Sequence, residues 1–152
     1  MSDNYLKIAP SQVDYVPNAE SVRQSTVLLK SLLPTADAVT FHQWNGIQFI
    51  DQGCFFERVS CPACGEVLDM DWWHERMSSK WNDVPKRFET LDIQTPCCGF
   101  ETSLNDLKYE WPAAFGLCIL EVVNPGRDLS DEELLRIQAT FGCPVRKVLA
   151  RY

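Results

Sequence analysis

With 152 residues, 45% of them hydrophobic and 23% charged, the chain can bury about two thirds of its unfolded surface and is too apolar for wholesale disorder. Fourteen basic against twenty-one acidic residues leave a net charge of −7. That field repels phosphate backbones and anionic lipid, which disfavours nucleic acid and membrane surfaces as partners. The opening Met-Ser-Asp-Asn-Tyr-Leu-Lys has neither the basic nor the apolar part of a signal peptide, and no apolar run is long enough to span a bilayer. Seven cysteines and no Asn-x-Ser/Thr sequon fit metal and free thiols better than a disulfide framework, so the expectation is a cytosolic protein.

Along the chain, Tyr5-Leu-Lys-Ile8 reads as a short strand ended by Pro10. Asn18 is an N-cap for a helix over 19–33, with Val22, Thr26, Leu29 and Leu33 on one face and Pro34 barring its continuation. Residues 38–41 read as a strand, Trp44-Asn45-Gly46 as a tight turn and residues 47–50 as the antiparallel return, because Asn-Gly supplies the positive φ of such hairpins. Residues 55–59 then run extended into Cys61-Pro-Ala-Cys64-Gly65.

Beyond that cluster, Met70, Trp73, Met77 and Trp81 recur at helical spacing, predicting a helix over 70–80 with Asp69 and Asp71 at its positive end. Asn82-Asp-Val-Pro85 ends it, residues 88–94 alternate as a strand into Thr95-Pro-Cys97-Cys98-Gly99, and residues 100–103 leave as its partner. A short helical turn and loop cover 104–112. Residues 115–123 form the most apolar strand, which suits a central position buried on both faces. Ser130-Asp-Glu-Glu133 is a capping box for a helix whose apolar face is Leu134, Leu135, Ile137 and Phe141, closed by Gly142, and a last strand covers 145–150.

Residues 5–41 and 115–152 each read strand, helix, strand. Two such units make the βαββαβ pattern of an α+β, ferredoxin-like two-layer sandwich. The whole of 1–152 is then one domain, with 1–53 and 104–152 forming the sandwich and 54–103 an inserted zinc ribbon.

A Cys-x-x-Cys turn aims two thiolates at one point, and a second cluster completes the four that structural zinc requires. Thirty-two residues separate Cys64 from Cys97. Overlaying the clusters sets Cys98 opposite Cys64 and Thr95 opposite Cys61, so one expected ligand is displaced. Either Cys61, Cys64, Cys97 and Cys98 together hold one structural zinc ion, or His74 replaces one thiolate. A redox role for Cys61-Pro-Ala-Cys64 would leave the second cluster unexplained. Cys54, Cys118 and Cys143 lie outside the pattern and read as ordinary free cysteines.

Phosphate-binding Gly-rich loops, the Gly-x-Ser-x-Gly elbow, His-Glu-x-x-His and the zinc-deaminase signature are all missing, which argues against an enzyme. His42 reads as an exposed strand residue, and Trp44, Trp81 and Trp111 as core or near-core packing. Glu66, Asp69, Asp71 and Glu75 read as a solvated helix start, whereas Trp72 leaves the core face of its helix and either caps the knuckle or anchors a partner. Trp72, His74, Asp71 and Glu75 are therefore the candidate partner-binding residues. Residues 54–103 hold five basic and nine acidic side chains, the wrong sign for a nucleic-acid-binding ribbon.

The motifs Tyr-Leu-Lys-Ile-x-Pro, Ser-Cys-Pro-x-Cys-Gly followed by Asp-Trp-Trp, Thr-Pro-Cys-Cys-Gly, Ser-Leu-Asn-Asp-Leu-x-Tyr-Glu-Trp-Pro and Asn-Pro-x-Arg-Asp-Leu resemble a family of small bacterial zinc-ribbon proteins of unknown role, over nearly the whole chain. Some members are labelled sugar-transporter ATPases, a label this sequence does not support without a phosphate-binding loop. The resemblance implies Cys61, Cys64, Cys97 and Cys98 as zinc ligands and transfers no catalytic residue. The leading expectation is a zinc-stabilised acidic cytosolic module that binds another protein, as an adaptor or an immunity-like inhibitor. A nucleic-acid-binding ribbon and a small-molecule enzyme with a non-zinc site near the ribbon helix are the alternatives.

Overall fold

A computed structural model describes residues 2–152 as a mixed α+β chain with three α-helices and a mainly antiparallel set of strands. Strands β1 (Asn4–Pro10), β2 (Ala38–Ile50), β9 (Ala114–Val123) and β10 (Val145–Arg151) lie in the order β10-β1-β9-β2. Helix α1 (Ala19–Leu32) connects β1 to β2, and α3 (Asp131–Phe141) connects β9 to β10. Each helix thus links two strands that are not neighbours, and the two units interleave. No helix of the described residues is long and apolar enough to cross a membrane.

Both helices cover the same sheet face. Leu29 and Leu33 from the first, with Ile137 and Phe141 from the second, pack on Leu6, Ile8, Cys118, Leu120 and Val122. The helix ends follow local chemistry: Asn18 Oδ1 accepts from the Ser21 amide, and Ser130 with Glu133 closes the capping box. Leu135, expected on the apolar face of α3, is instead 62% exposed, because the stripe facing the sheet is carried by Leu134, Ile137 and Phe141.

β9 holds the predicted central place, between β1 and β2. It also explains why the Asn45-Gly46 hairpin does not form. β2 is one strand from Ala38 to Ile50, whose register against β9 jumps between Gln43, opposite Cys118, and Gln48, opposite Gly116. Both apolar halves of β2 find partners on that single strand, Phe41 against Leu120 and Phe49 against Phe115, so an irregularity absorbs the extra residues and no turn is required. Neither Asn45 nor Gly46 has positive φ. Gly46 serves a different purpose: a Cβ there would sit 2.2 Å from Cδ of Arg87.

Between β2 and β9 the chain builds β3 (Val59–Ser60), α2 (Met70–Lys80), β4 (Trp81–Asp83), β5 (Lys86–Phe88), β6 (Asp92–Gln94), β7 (Glu101–Ser103) and β8 (Lys108–Tyr109). The expected extended run over 55–59 begins as a turn, with Phe55 N–H donating to the Gln52 carbonyl, and only Val59 and Ser60 are strand. The expected strand over 88–94 is split. Phe88 pairs with Ile47 and adds the β4–β5 hairpin to the edge of the main sheet, while β6 pairs with β7. A second core joins the parts: Trp73, Phe88, Leu91, Ile93, Leu104 and Tyr109 pack with Phe115 of β9. Trp111, expected near the core, is 40% exposed and stacks on Phe55 at 4.4 Å.

Candidate metal centre

Two hairpins carry the cysteines, and they are the same turn made twice. In the first, Ser60 bridges to Val67, the Cys61 amide donates to the Glu66 carbonyl at 2.8 Å and the Gly65 amide to the Cys61 carbonyl at 2.9 Å. In the second, Gln94 pairs with Glu101, and the Thr95 and Gly99 amides donate to the Phe100 and Thr95 carbonyls, both at 3.0 Å. Gly65 and Gly99 adopt φ of +76° and +71°, which only residues without a Cβ tolerate at little cost. The overlay of Thr95 on Cys61 is thus realised bond by bond.

The two turns bring Cys61, Cys64, Cys97 and Cys98 together, with all four sulfurs within 4.8 Å of one another, close enough to hold a metal ion. Sγ separations are 3.7 Å for Cys61 to Cys98, 3.4 Å for Cys64 to Cys97 and 3.9 Å for Cys97 to Cys98. Cys61 is buried at the floor of the cluster and the other three are exposed. Cys97 supplies the thiol missing at position 95, two residues further along the turn.

Electrostatics separate the thiols. The Cys64 amide chiefly, helped by the Ala63 amide, the Thr95 hydroxyl and Cys97, lowers Cys61 to about 6. Cys64 is drawn down by the Glu66 amide, yet the crowding of Cys97, burial and the neighbouring Cys61 and Cys98 push it up to about 12. Thiolates this close together repel one another. A divalent cation reverses that balance and makes every thiolate favourable.

His74 is exposed on α2, its ring 5.1 Å from that of Trp73, and it is not among the four clustered ligands. Asp71 and Glu75 are exposed beside it, and Asp69 caps the helix by accepting from the Asp71 amide. Trp72 is half-buried against the second core. A cleft of about 880 Å³ lies between Arg76, Lys80 and the β6–β7 hairpin, and is lined by none of Trp72, His74 and Glu75.

A polar cluster on the helix-free sheet face escaped sequence reasoning. The Lys7 side chain, 7% exposed, donates to the Asp51 backbone carbonyl at 2.9 Å and to the Tyr152 hydroxyl at 2.6 Å. Tyr152 Oη donates in turn to Asp51 Oδ1 at 2.8 Å, and His42 contacts Glu121 at 3.2 Å nearby. With all its donors engaged inside the protein, Lys7 clamps the C-terminus and the loop after β2 onto the sheet. Nothing in an alternating strand marks such a lysine, whose partners lie 44 and 145 positions away.

No family model, curated protein or solved structure matches the chain.

Proposed function

We propose that the protein is a zinc-stabilised cytosolic module that recognises another protein, built as a ferredoxin-like sandwich carrying a zinc ribbon. The observation that carries the zinc reading is the spacing of the four sulfurs. A zinc–sulfur bond of about 2.3 Å gives a tetrahedron with edges of about 3.8 Å, and the separations of 3.4, 3.7 and 3.9 Å bracket that edge. Four thiolates leave no position for water or substrate, so the ion contributes folding free energy and not catalysis. The order β10-β1-β9-β2 with both helices on one face supports the sandwich reading, and the duplicated cysteine turns support the ribbon.

Protein binding is supported by charge and exposure. Glu57, Glu66, Asp71 and Glu75 lie exposed in the cysteine-bearing segment, and Val67 and Phe100 expose apolar surface on the two turns. Exposed carboxylates and exposed apolar side chains in one segment suit a partner with a basic surface and repel nucleic acid. Trp72, His74, Asp71 and Glu75 of α2 are the proposed contact residues. The same chemistry serves an adaptor or an inhibitor of a basic toxin, and agrees with membership of the bacterial zinc-ribbon family that the motifs resemble. Immobilised full-length protein should retain a specific protein from lysate at low salt, and a Glu66→Lys, Asp71→Lys, Glu75→Lys variant should not. Retention of nothing specific, or salt-sensitive retardation of DNA or RNA instead, would refute the protein-binding reading.

A further inference from the structure

We infer that Thr95 belongs to the metal centre, as a positioning residue whose hydroxyl, within reach of the ligand sulfurs of Cys61 and Cys98, donates its one proton to a metal-bound thiolate from the turn position that carries a cysteine in the other turn. The inference rests on the reading of the four cysteines as a zinc site.

Thr95 stands in its turn where Cys61 stands in the other, with the same pair of backbone hydrogen bonds on either side. Both side chains point inward: Cys61 is 1% exposed and Thr95 2%. The Thr95 hydroxyl lies 3.7 Å from the Cys61 sulfur and 3.6 Å from that of Cys98. Both sulfurs are therefore within hydrogen-bond reach of Oγ1, which projects from the turn position that carries a cysteine in the other turn.

A hydroxyl has one proton to give and two lone pairs. One lone pair is committed, because the Phe100 amide donates to Thr95 Oγ1 at 3.0 Å. Against free thiols the hydroxyl can accept from S–H or donate to sulfur. Against metal-bound thiolates, which have no proton, it can only donate. Binding of the ion therefore fixes the rotor, and the Phe100 amide holds the oxygen from behind. The resulting O–H···S⁻ bond spreads charge away from a four-thiolate site, the role that outer-shell donors play around metals.

The test uses full-length protein loaded with zinc, and with cobalt as a spectroscopic replacement. Thr95→Val keeps the shape and removes the donor, so zinc affinity measured by chelator competition should fall by about 10–100-fold. Thr95→Ser should hold wild-type affinity. In cobalt-loaded protein the thiolate charge-transfer intensity counts sulfur ligands: Cys97→Ser should lose intensity, and Cys97→Ser combined with Thr95→Cys should recover it. Far-UV circular dichroism in excess metal shows that each variant is folded. Equal affinity of Thr95→Val and wild type, or no recovery in the double variant, would overturn the assignment of Thr95 while leaving the four-cysteine site standing. Absence of zinc binding by the wild type itself would instead overturn the metal reading, and the Thr95 role with it.

Discussion

Stripping the metal should cost this chain a large part of its thermal stability. The sulfur cluster joins the turn after β3 to the turn between β6 and β7, and only Cys61 of the four cysteines is buried, so a bound ion would substitute for apolar packing there. With free zinc about 1,000-fold above the dissociation constant, linkage stabilises the folded state by ~4 kcal/mol. For a domain of this size each kcal/mol moves the midpoint by about 3 °C, so chelation should lower it by ~12 °C. The assay is a pair of circular dichroism melts, in zinc and in a strong chelator, with metal content measured beforehand at about one ion per chain. Cys64→Ser should melt at the chelated midpoint in both buffers. Cys54→Ser, altering an exposed thiol outside the cluster, should keep the full difference. Superimposed wild-type melts, or a zinc effect that survives Cys64→Ser, would refute the reasoning.

Gly46→Ala should destabilise by about 1–3 kcal/mol, because its new Cβ would lie 2.4 Å from Cβ of Arg87 as well as against Cδ; denaturant titration of Gly46→Ala with and without Arg87→Ala measures how much is relieved. Phe115→Ala should cost about 3–5 kcal/mol in the same assay, since this fully buried ring packs on Phe49 and Phe88 at centroid distances of 4.9 and 5.3 Å. At the start of α3, the Arg127 guanidinium first, then the Ser130 amide, hold Glu133 down at about 2 from an ordinary 4.5. A depressed carboxylate stabilises the fold above its unfolded value and loses that contribution as pH falls. Wild type should therefore exceed Glu133→Gln in stability at pH 7, with the gap closing between about pH 4.5 and 2.

The elements read correctly from sequence are those whose cause is local. Asn18, Ser130 with Glu133, and Gly142 terminate their helices through bonds to residues within one turn, and these caps were legible as written. The cysteine turns are equally short-range: a few residues and a glycine set each one, so the Thr95 and Cys61 correspondence is legible in the two clusters themselves. β9 declared itself by nine consecutive positions with almost no polar interruption. Leu135 and Trp111 misled because helical spacing and ring size state that a residue is apolar, not which neighbour will cover it.

What the sequence by itself determined, then, is the pair of cysteine-bearing turns, the capped helices and the central strand, because each depends on bonds that close within a few residues. Tertiary structure alone decided that Asn45-Gly46 continues a strand, that β4 and β5 extend the main sheet, that Lys7 is buried against Asp51 and Tyr152, and that His74 stands outside the sulfur cluster. Each of those outcomes turns on a partner far along the chain. The cross-strand contacts of Phe41 with Leu120 and of Phe49 with Phe115 on β9 outweigh a local turn preference, since two such apolar pairs contribute more than a favourable φ at one glycine.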